Sequence, residues 1–452
     1  MMRNCCLASF MAFLVVFDIS APDVTAQQVE RFRGSDATGV SADDPRLPDE
    51  WTTEQNVQWK VTVPGWGWSS PIVSGNQVFV TSVVNDEEYE EPQAGLYLGR
   101  GRQEPPDGTH HWMVYCYNLN NGALLWSTET HAGAPQIPRH PKSTYASETP
   151  VTDGERLYVL FGDVGLYCLN LDGELIWSQE IKPKKTLFGY GAAASPVVVN
   201  DLVIMVYDNM EESYVAAYDK QTGEERWNVP RDEISTWATP FVWKHDQRTE
   251  IVIPGREKSR AYDLEGNLLW SLSGPMSNLV IPSPFASNGL LYITSGYIGD
   301  KERPVYAIRP GASGEIEVED EASTHEKLAW YLPQGGPYNT SPIVYRDRYY
   351  TLYDRGFLTS HNATTGEEVF GKQRFAPGAS FTASPWAYNG KLFFLSETGD
   401  TYVVESNDEF TLLKTNSLDE LCLATPYVSQ GNLLIRTASK IYCLGNAENI
   451  TD

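Results

Sequence analysis

The chain has 452 residues, a formal net charge of −25, 12% aromatic residues, 36 glycines and 28 prolines. That length and composition suit one large, turn-rich, all-β domain better than an α/β fold. Phosphate backbones repel a uniformly acidic protein, so nucleic acid is excluded as an expected partner.

The chain opens with Arg3 and an apolar run from Cys5 to Phe17, too short to span a bilayer. Small residues Val24-Thr25-Ala26 precede Gln27, so residues 1–26 read as a cleaved secretory signal peptide. Cys5 and Cys6 stand too early to read as a lipid-attachment site, and no later segment is long and apolar enough for a membrane helix. The mature protein is expected outside the cytoplasm, periplasmic or extracellular. Residues 27–55 form an N-terminal extension, residues 56–445 the main domain and residues 446–452 a tail.

Asn56-Val57-Gln58-Trp59-Lys60 reads as an outer strand with no sheet before it. From there a unit repeats, shown best by Glu148 to Trp177. Asp153-Gly154, Gly162-Asp163-Val164-Gly165 and Leu171-Asp172-Gly173-Glu174 divide it into four short apolar runs. Runs of β-branched and aromatic residues between such turns read as hairpin-linked strands. A tight hairpin explains Gly162–Gly165 better than a calcium loop does. The opening Ser-Pro or Thr-Pro recurs at Pro71, Pro150, Pro196, Pro240, Pro284, Pro342, Pro385 and Pro426. The closing aromatic recurs at Trp126, Trp177, Trp227, Trp270, Trp330 and Phe370, and Leu413 is expected at the degenerate seventh position. Four strands every 40–50 residues or so predict an eight-bladed β-propeller. The last unit ends at Leu444 without an outer strand. Trp59 is therefore expected in blade eight, closing the ring and removing an exposed edge.

Cys116, Cys168 and Cys443 share one repeat slot that Ala307 and Ser360 fill elsewhere, so they read as small buried residues. Only Cys422 and Cys443 are worth testing as a disulfide; free thiols are favoured. No His/Cys cluster has zinc spacing, and no metal site is expected.

The pattern from Tyr218-Asp219 through Thr222-Gly223 to Trp227 resembles the PQQ-like propeller repeat. That family includes the quinoprotein dehydrogenases and the outer-membrane assembly propeller BamB. Phe32-Arg33-Gly34, Gly39-Val40-Ser41, Leu47-Pro48, Trp68-Ser69-Ser70-Pro71 and Ala146-Ser147-Glu148-Thr149-Pro150 add a likeness to secreted propellers common in planctomycete-type bacteria. The resemblance implies the fold from Phe32 to Leu444 and is weak for activity. In quinoprotein dehydrogenases the quinone sits between a tryptophan and a disulfide of adjacent cysteines, with calcium beside it. Here the adjacent cysteines belong to the signal peptide, and no haem motif or catalytic Asp can be mapped. No cofactor is expected; PQQ with calcium is the disfavoured alternative.

Alternating strand directions place the blade-to-blade links and the second-to-third strand loops on one face. Trp66, Trp68, Tyr145, Tyr190, Trp237, Tyr338 and Phe381 precede opening prolines and are expected to line that entrance. Glu148 stands there as a carboxylate where other repeats carry small residues. The insert Val83 to Trp112 brings Arg100, Arg102, His110 and His111 to the same face. Arg139, His140 and Lys142 precede blade two, and Lys182, Lys184 and Lys185 precede blade three. These loops are expected to form a basic, aromatic binding face. The acidic insert Glu315 to Glu321 lies opposite and reads as a solvated loop. The resulting expectation is an exported, non-catalytic binding or scaffold propeller in the cell envelope, holding an envelope protein or an anionic or carbohydrate ligand. The alternatives are a PQQ-dependent oxidoreductase and a carbohydrate-binding or carbohydrate-processing propeller.

Overall fold

The computed structural model describes residues 29–86, 91–95, 104–320 and 325–446. The expected signal peptide of residues 1–26, Arg100 and Arg102 lie outside the described residues. Among the described residues the strands form eight antiparallel meanders, the blades of a propeller. Blade one is Ile72–Ser74, Gln77–Asn85, His110–Asn118 and Leu124–Gly133. The insert lies between its second and third strands, as expected, but Val83–Asn85 and His110–Trp112, read as loop from the sequence, belong to those strands. No helix of the described residues is long and apolar enough to cross a membrane.

Each blade has two buried faces, so inner and middle strands are apolar throughout rather than alternating. Leu202–Tyr207 is buried at every position. Neighbouring blades are joined by their tryptophans. The indole of Trp126 lies against Gly173 of the next blade and donates to the Leu171 carbonyl at 2.9 Å. Trp177, Trp227 and Trp330 repeat this on Gly223, Gly266 and Gly366. A Cβ at these glycines would lie 2.6 to 2.9 Å from the indole, and their φ of 75° to 87° is left-handed. Only glycine meets both demands.

The ring closes as the sequence predicts. Val57–Thr62 pairs with Lys440–Leu444 in blade eight. Trp59 donates to the Leu119 carbonyl of blade one at 2.6 Å. Buried Arg436 reinforces this seam, donating to the Thr81 carbonyl (2.7 Å) and the Ser69 hydroxyl (2.8 Å).

Two expectations are corrected. In blade seven Lys414, not Leu413, stands opposite Val403, where other blades hold their aromatic, because the hairpin from Val404 to Leu412 is one residue longer than that from Tyr218 to Glu225 in blade three. Leu413 is exposed, and Lys414 reaches Asp49 and Glu50 of the N-terminal extension. Trp51, fully buried on Phe393, supplies an aromatic to this part of the core. The acidic insert is likewise not a free loop. Gly314–Glu317 adds a fifth, parallel strand to blade four, against Leu268–Ser273. Ile316 and Val318 are buried there, and the cover leaves Trp270 fully enclosed with its indole N–H on Glu250. It protects one sheet edge from pairing with another chain.

The four described cysteines are buried, free thiols. Burial holds Cys116, Cys168 and Cys443 near pKa 12, so they remain protonated.

Candidate functional site

The residue before every opening proline is Ser or Thr. Proline lacks an N–H and favours an extended residue before it. Around the axis these residues link blade to blade. Ser70 donates its backbone N–H to the Thr149 hydroxyl (2.9 Å), and Thr149 to Ser195 (2.9 Å). The series continues through Thr239 (3.1 Å), Ser283 (3.1 Å), Ser341 (2.9 Å), Ser384 (2.9 Å) and Thr425 (3.0 Å). The link from Thr425 back to Ser70 is not among these bonds. The Ser70 hydroxyl is buried without a partner among the described residues.

The ring surrounds an axial cavity of about 230 Å³. Trp68, Tyr190, Trp237, Leu279, Ile281 and Tyr338 supply its apolar wall. The N-terminal extension crosses the axis and contributes Phe32 to the lining. Glu30 pairs with Thr152 of blade two, Arg31 lies over Phe241 of blade four, and Arg33 lies over Phe285 of blade five. Arg33 also donates to the Pro342 carbonyl at 2.6 Å. Gly95, His140 and Lys142 line the cavity from the blade-one insert and the link into blade two. Lys142 crosses to Glu397 of blade seven in a buried ion pair and donates to Thr382 at 3.2 Å. The Gly95 N–H binds the other oxygen of Glu397 at 2.8 Å.

The predicted entrance aromatics divide. Trp68, Tyr190, Trp237 and Tyr338 line the cavity. Tyr145 packs on Trp112 and binds the Ile137 carbonyl, and half-buried Trp66 bridges to Val83. Phe381 is fully buried beside Phe375 and Tyr402 and is not among the residues that line the cavity.

The predicted basic residues do not form one exposed cationic face. Arg139 is buried, with its guanidinium on the Ser143 carbonyl and over Tyr145. Lys142 is taken by Glu397, and Lys184 by Glu212 at 3.1 Å. Burial, with Lys142 and Arg139 nearby, depresses the His140 pKa to about 3, so the ring is neutral. Lys182 and Lys185 remain exposed. Carboxylates engage Lys142 and Lys184, and pairing removes the repulsion that clustering would create.

Glu148 is buried behind the ring, accepting the Gly162 N–H at 3.0 Å. Burial, with Asp163 close by, pushes it up to about 8. Burial raises Asp163 to about 7, although Tyr207 donates to it at 3.3 Å. Both acids hold a proton more tightly folded than unfolded. Their contribution is therefore full below about pH 4 and lost as the pH rises through 7 to 8. Glu148→Gln is expected to flatten the fall in stability between pH 5 and pH 8. Urea unfolding at the two pH values checks this; an unchanged pH slope would remove Glu148 from the account.

Ring, wall, strap and roof together show a repeat propeller closed on its axis. A family model described as outer membrane protein assembly factor BamB matches residues 111–369. The chain belongs to this BamB family. Among solved structures it is similar to BamB from Moraxella catarrhalis, at 12% identity and a TM-score of 0.54, covering 80% of this chain and 98% of that one. A quinohemoprotein alcohol dehydrogenase from Comamonas testosteroni is similar at 11% identity and a TM-score of 0.57, covering 95% and 82%. The computationally designed protein Ika8 is similar at 10% identity and a TM-score of 0.51, covering 85% and 98%. At such identities the likenesses speak for the fold alone. No curated protein matches the sequence.

The sequence reading missed the hydroxyl ring, Phe32 as lining, and Glu397. The ring had a signal in the Ser or Thr before every opening proline. Glu397 had none, because its partner lies 255 residues away.

Proposed function

We propose that this BamB-family propeller is an exported, non-catalytic binding and scaffold module of the cell envelope, working without a quinone cofactor. The observation that carries the reading is the closure of the axis by the chain itself. The N-terminal extension crosses it and contributes Phe32, and the buried Lys142–Glu397 pair joins blade two to blade seven above the cavity. The donor set supports the same reading. The lining cation Lys142 is already engaged by a carboxylate, which leaves little counter-charge for a tricarboxylate quinone. The described cysteines are dispersed as buried thiols at separate positions rather than stacked on the cavity. Contacts with other proteins then fall to the outer surfaces, as suits a family named for outer-membrane assembly.

The test is fractionation and chemical cross-linking of the tagged full chain in its own cells, with a dye-linked oxidation assay on the purified protein plus PQQ and calcium. The expected result is an envelope-bound complex containing outer-membrane assembly proteins and no oxidation. Recovery as a free monomer, or calcium-dependent oxidation of an alcohol or sugar, would overturn the reading.

A further inference from the structure

We propose that the axial cavity binds one small monocarboxylate with a compact apolar body, its oxygens on the hydroxyl ring and Tyr190 and its body on Trp237, Leu279 and Ile281. This goes beyond the scaffold reading and does not rest on it.

The first observation is a surplus of donors. Seven ring hydroxyls line the cavity, and each accepts a backbone N–H from the neighbouring blade. None of them donates its own proton in any described hydrogen bond. A hydroxyl carries one donor, and a buried donor without an acceptor is costly. The second observation is independent. The Tyr190 hydroxyl is buried without a partner among the described residues, on a side chain 7% exposed that lines the same cavity. Burial raises its pKa to about 12, so it stays a donor. The third is charge. In a chain of −25, no carboxylate is among the described residues that line this cavity. Donors that line one cavity and have no described acceptor select a ligand group made of acceptors, and hydroxyls held in place suit an oxyanion. A neutral alcohol would use fewer of them.

The remainder of the lining selects the body. Trp237, Leu279, Ile281 and Tyr338 form an apolar wall beside the ring. Ligand pockets commonly hold about 300–1,000 Å³. A cavity of 230 Å³ therefore suits a single ring or a short branched chain.

The probe is benzoate, titrated calorimetrically into the full chain at neutral pH, with benzyl alcohol and PQQ as comparison ligands. One benzoate should bind per chain, with benzyl alcohol at least about tenfold weaker, as the loss of hydrogen bonds to a charged group predicts. Tyr190→Phe should weaken benzoate about tenfold and leave the melting temperature nearly unchanged, because its hydroxyl has no partner to lose. Leu279→Trp, which fills the apolar end and spares the ring, should abolish binding. No saturable benzoate binding, equal affinity for benzyl alcohol, or full affinity in Tyr190→Phe would overturn the proposal. Tighter binding of PQQ than of benzoate would also overturn it, by assigning the cavity to the quinone.

Discussion

Replacing Trp59 by alanine is expected to cost about 3–5 kcal/mol of unfolding free energy, the usual range for a buried tryptophan. Trp59 makes the same contact as the other interblade tryptophans, from a strand that is held in blade eight only by pairing with the far end of the chain. Its strand, Val57–Thr62, completes blade eight, and its indole rests on Gly122 and binds Leu119 of blade one. Losing the indole leaves a cavity at the seam and an unmatched carbonyl at Leu119. Arg436, the Gln430 bond to the Gly75 carbonyl and the chain link of residues 63–71 then remain between the two blades. Leu413→Ala, at an exposed position, should stay within about 0.5 kcal/mol. Urea unfolding of both variants checks this. A cost below about 1 kcal/mol for Trp59→Ala would mean that the strand closes the ring without the indole.

Breaking the Lys142–Glu397 pair from either side is expected to cost about 3–5 kcal/mol, because each change strands the other charge in the interior. The side chains of Lys142 and Glu397 are 9% and 0% exposed. Lys142→Met and Glu397→Leu should each be severe, while the double variant should recover part of the loss. A coupling of about 1–3 kcal/mol is expected from the cycle. Thr382 and the Gly95 N–H also lose an acceptor when Glu397 is removed, so Glu397→Leu should be the worse single change. Additive costs would mean that the two groups are solvated separately. The same geometry reverses an expectation drawn from the sequence. The basic binding face expected from the sequence requires Arg139, Lys142 and Lys184 to be exposed, so reversing all three to glutamate would leave the fold intact. Here Lys142→Glu faces Glu397 across a buried contact, and Arg139 is buried as well, so the triple variant should fail to fold stably.

The blade count was legible because each blade obeys the same local demands. A proline opens the inner strand, apolar runs fill two buried faces, a left-handed glycine receives an indole, and an aromatic closes the outer strand. Those demands act within about fifty residues, so they leave a repeating mark in the chain. Ring closure was legible for a related reason: a missing outer strand at Leu444 and a spare one at Trp59 are complementary defects. The seventh blade shows where such reading slips. The bulge there is shared with other blades, but the hairpin before it is one residue longer, and a pattern of side chains does not reveal this, so Leu413 was assigned the place that Lys414 holds.

The sequence by itself determined the propeller, its eight blades, its closure and the hydroxyl at each opening, because these follow from short-range periodicity. The tertiary structure alone decided what the loops do. The glutamates of 315–317 alternate with apolar residues in a strand pattern, but only the fold shows that strand covering blade four. Basic residues adjacent in three loops looked like a surface, yet Arg139 was buried and Lys142 and Lys184 found carboxylates. The physical reason is range: hydrogen bonds and ion pairs form wherever the folded backbone brings partners within a few ångströms. Lys142 and Glu397 meet across the axis although the chain separates them by 255 residues.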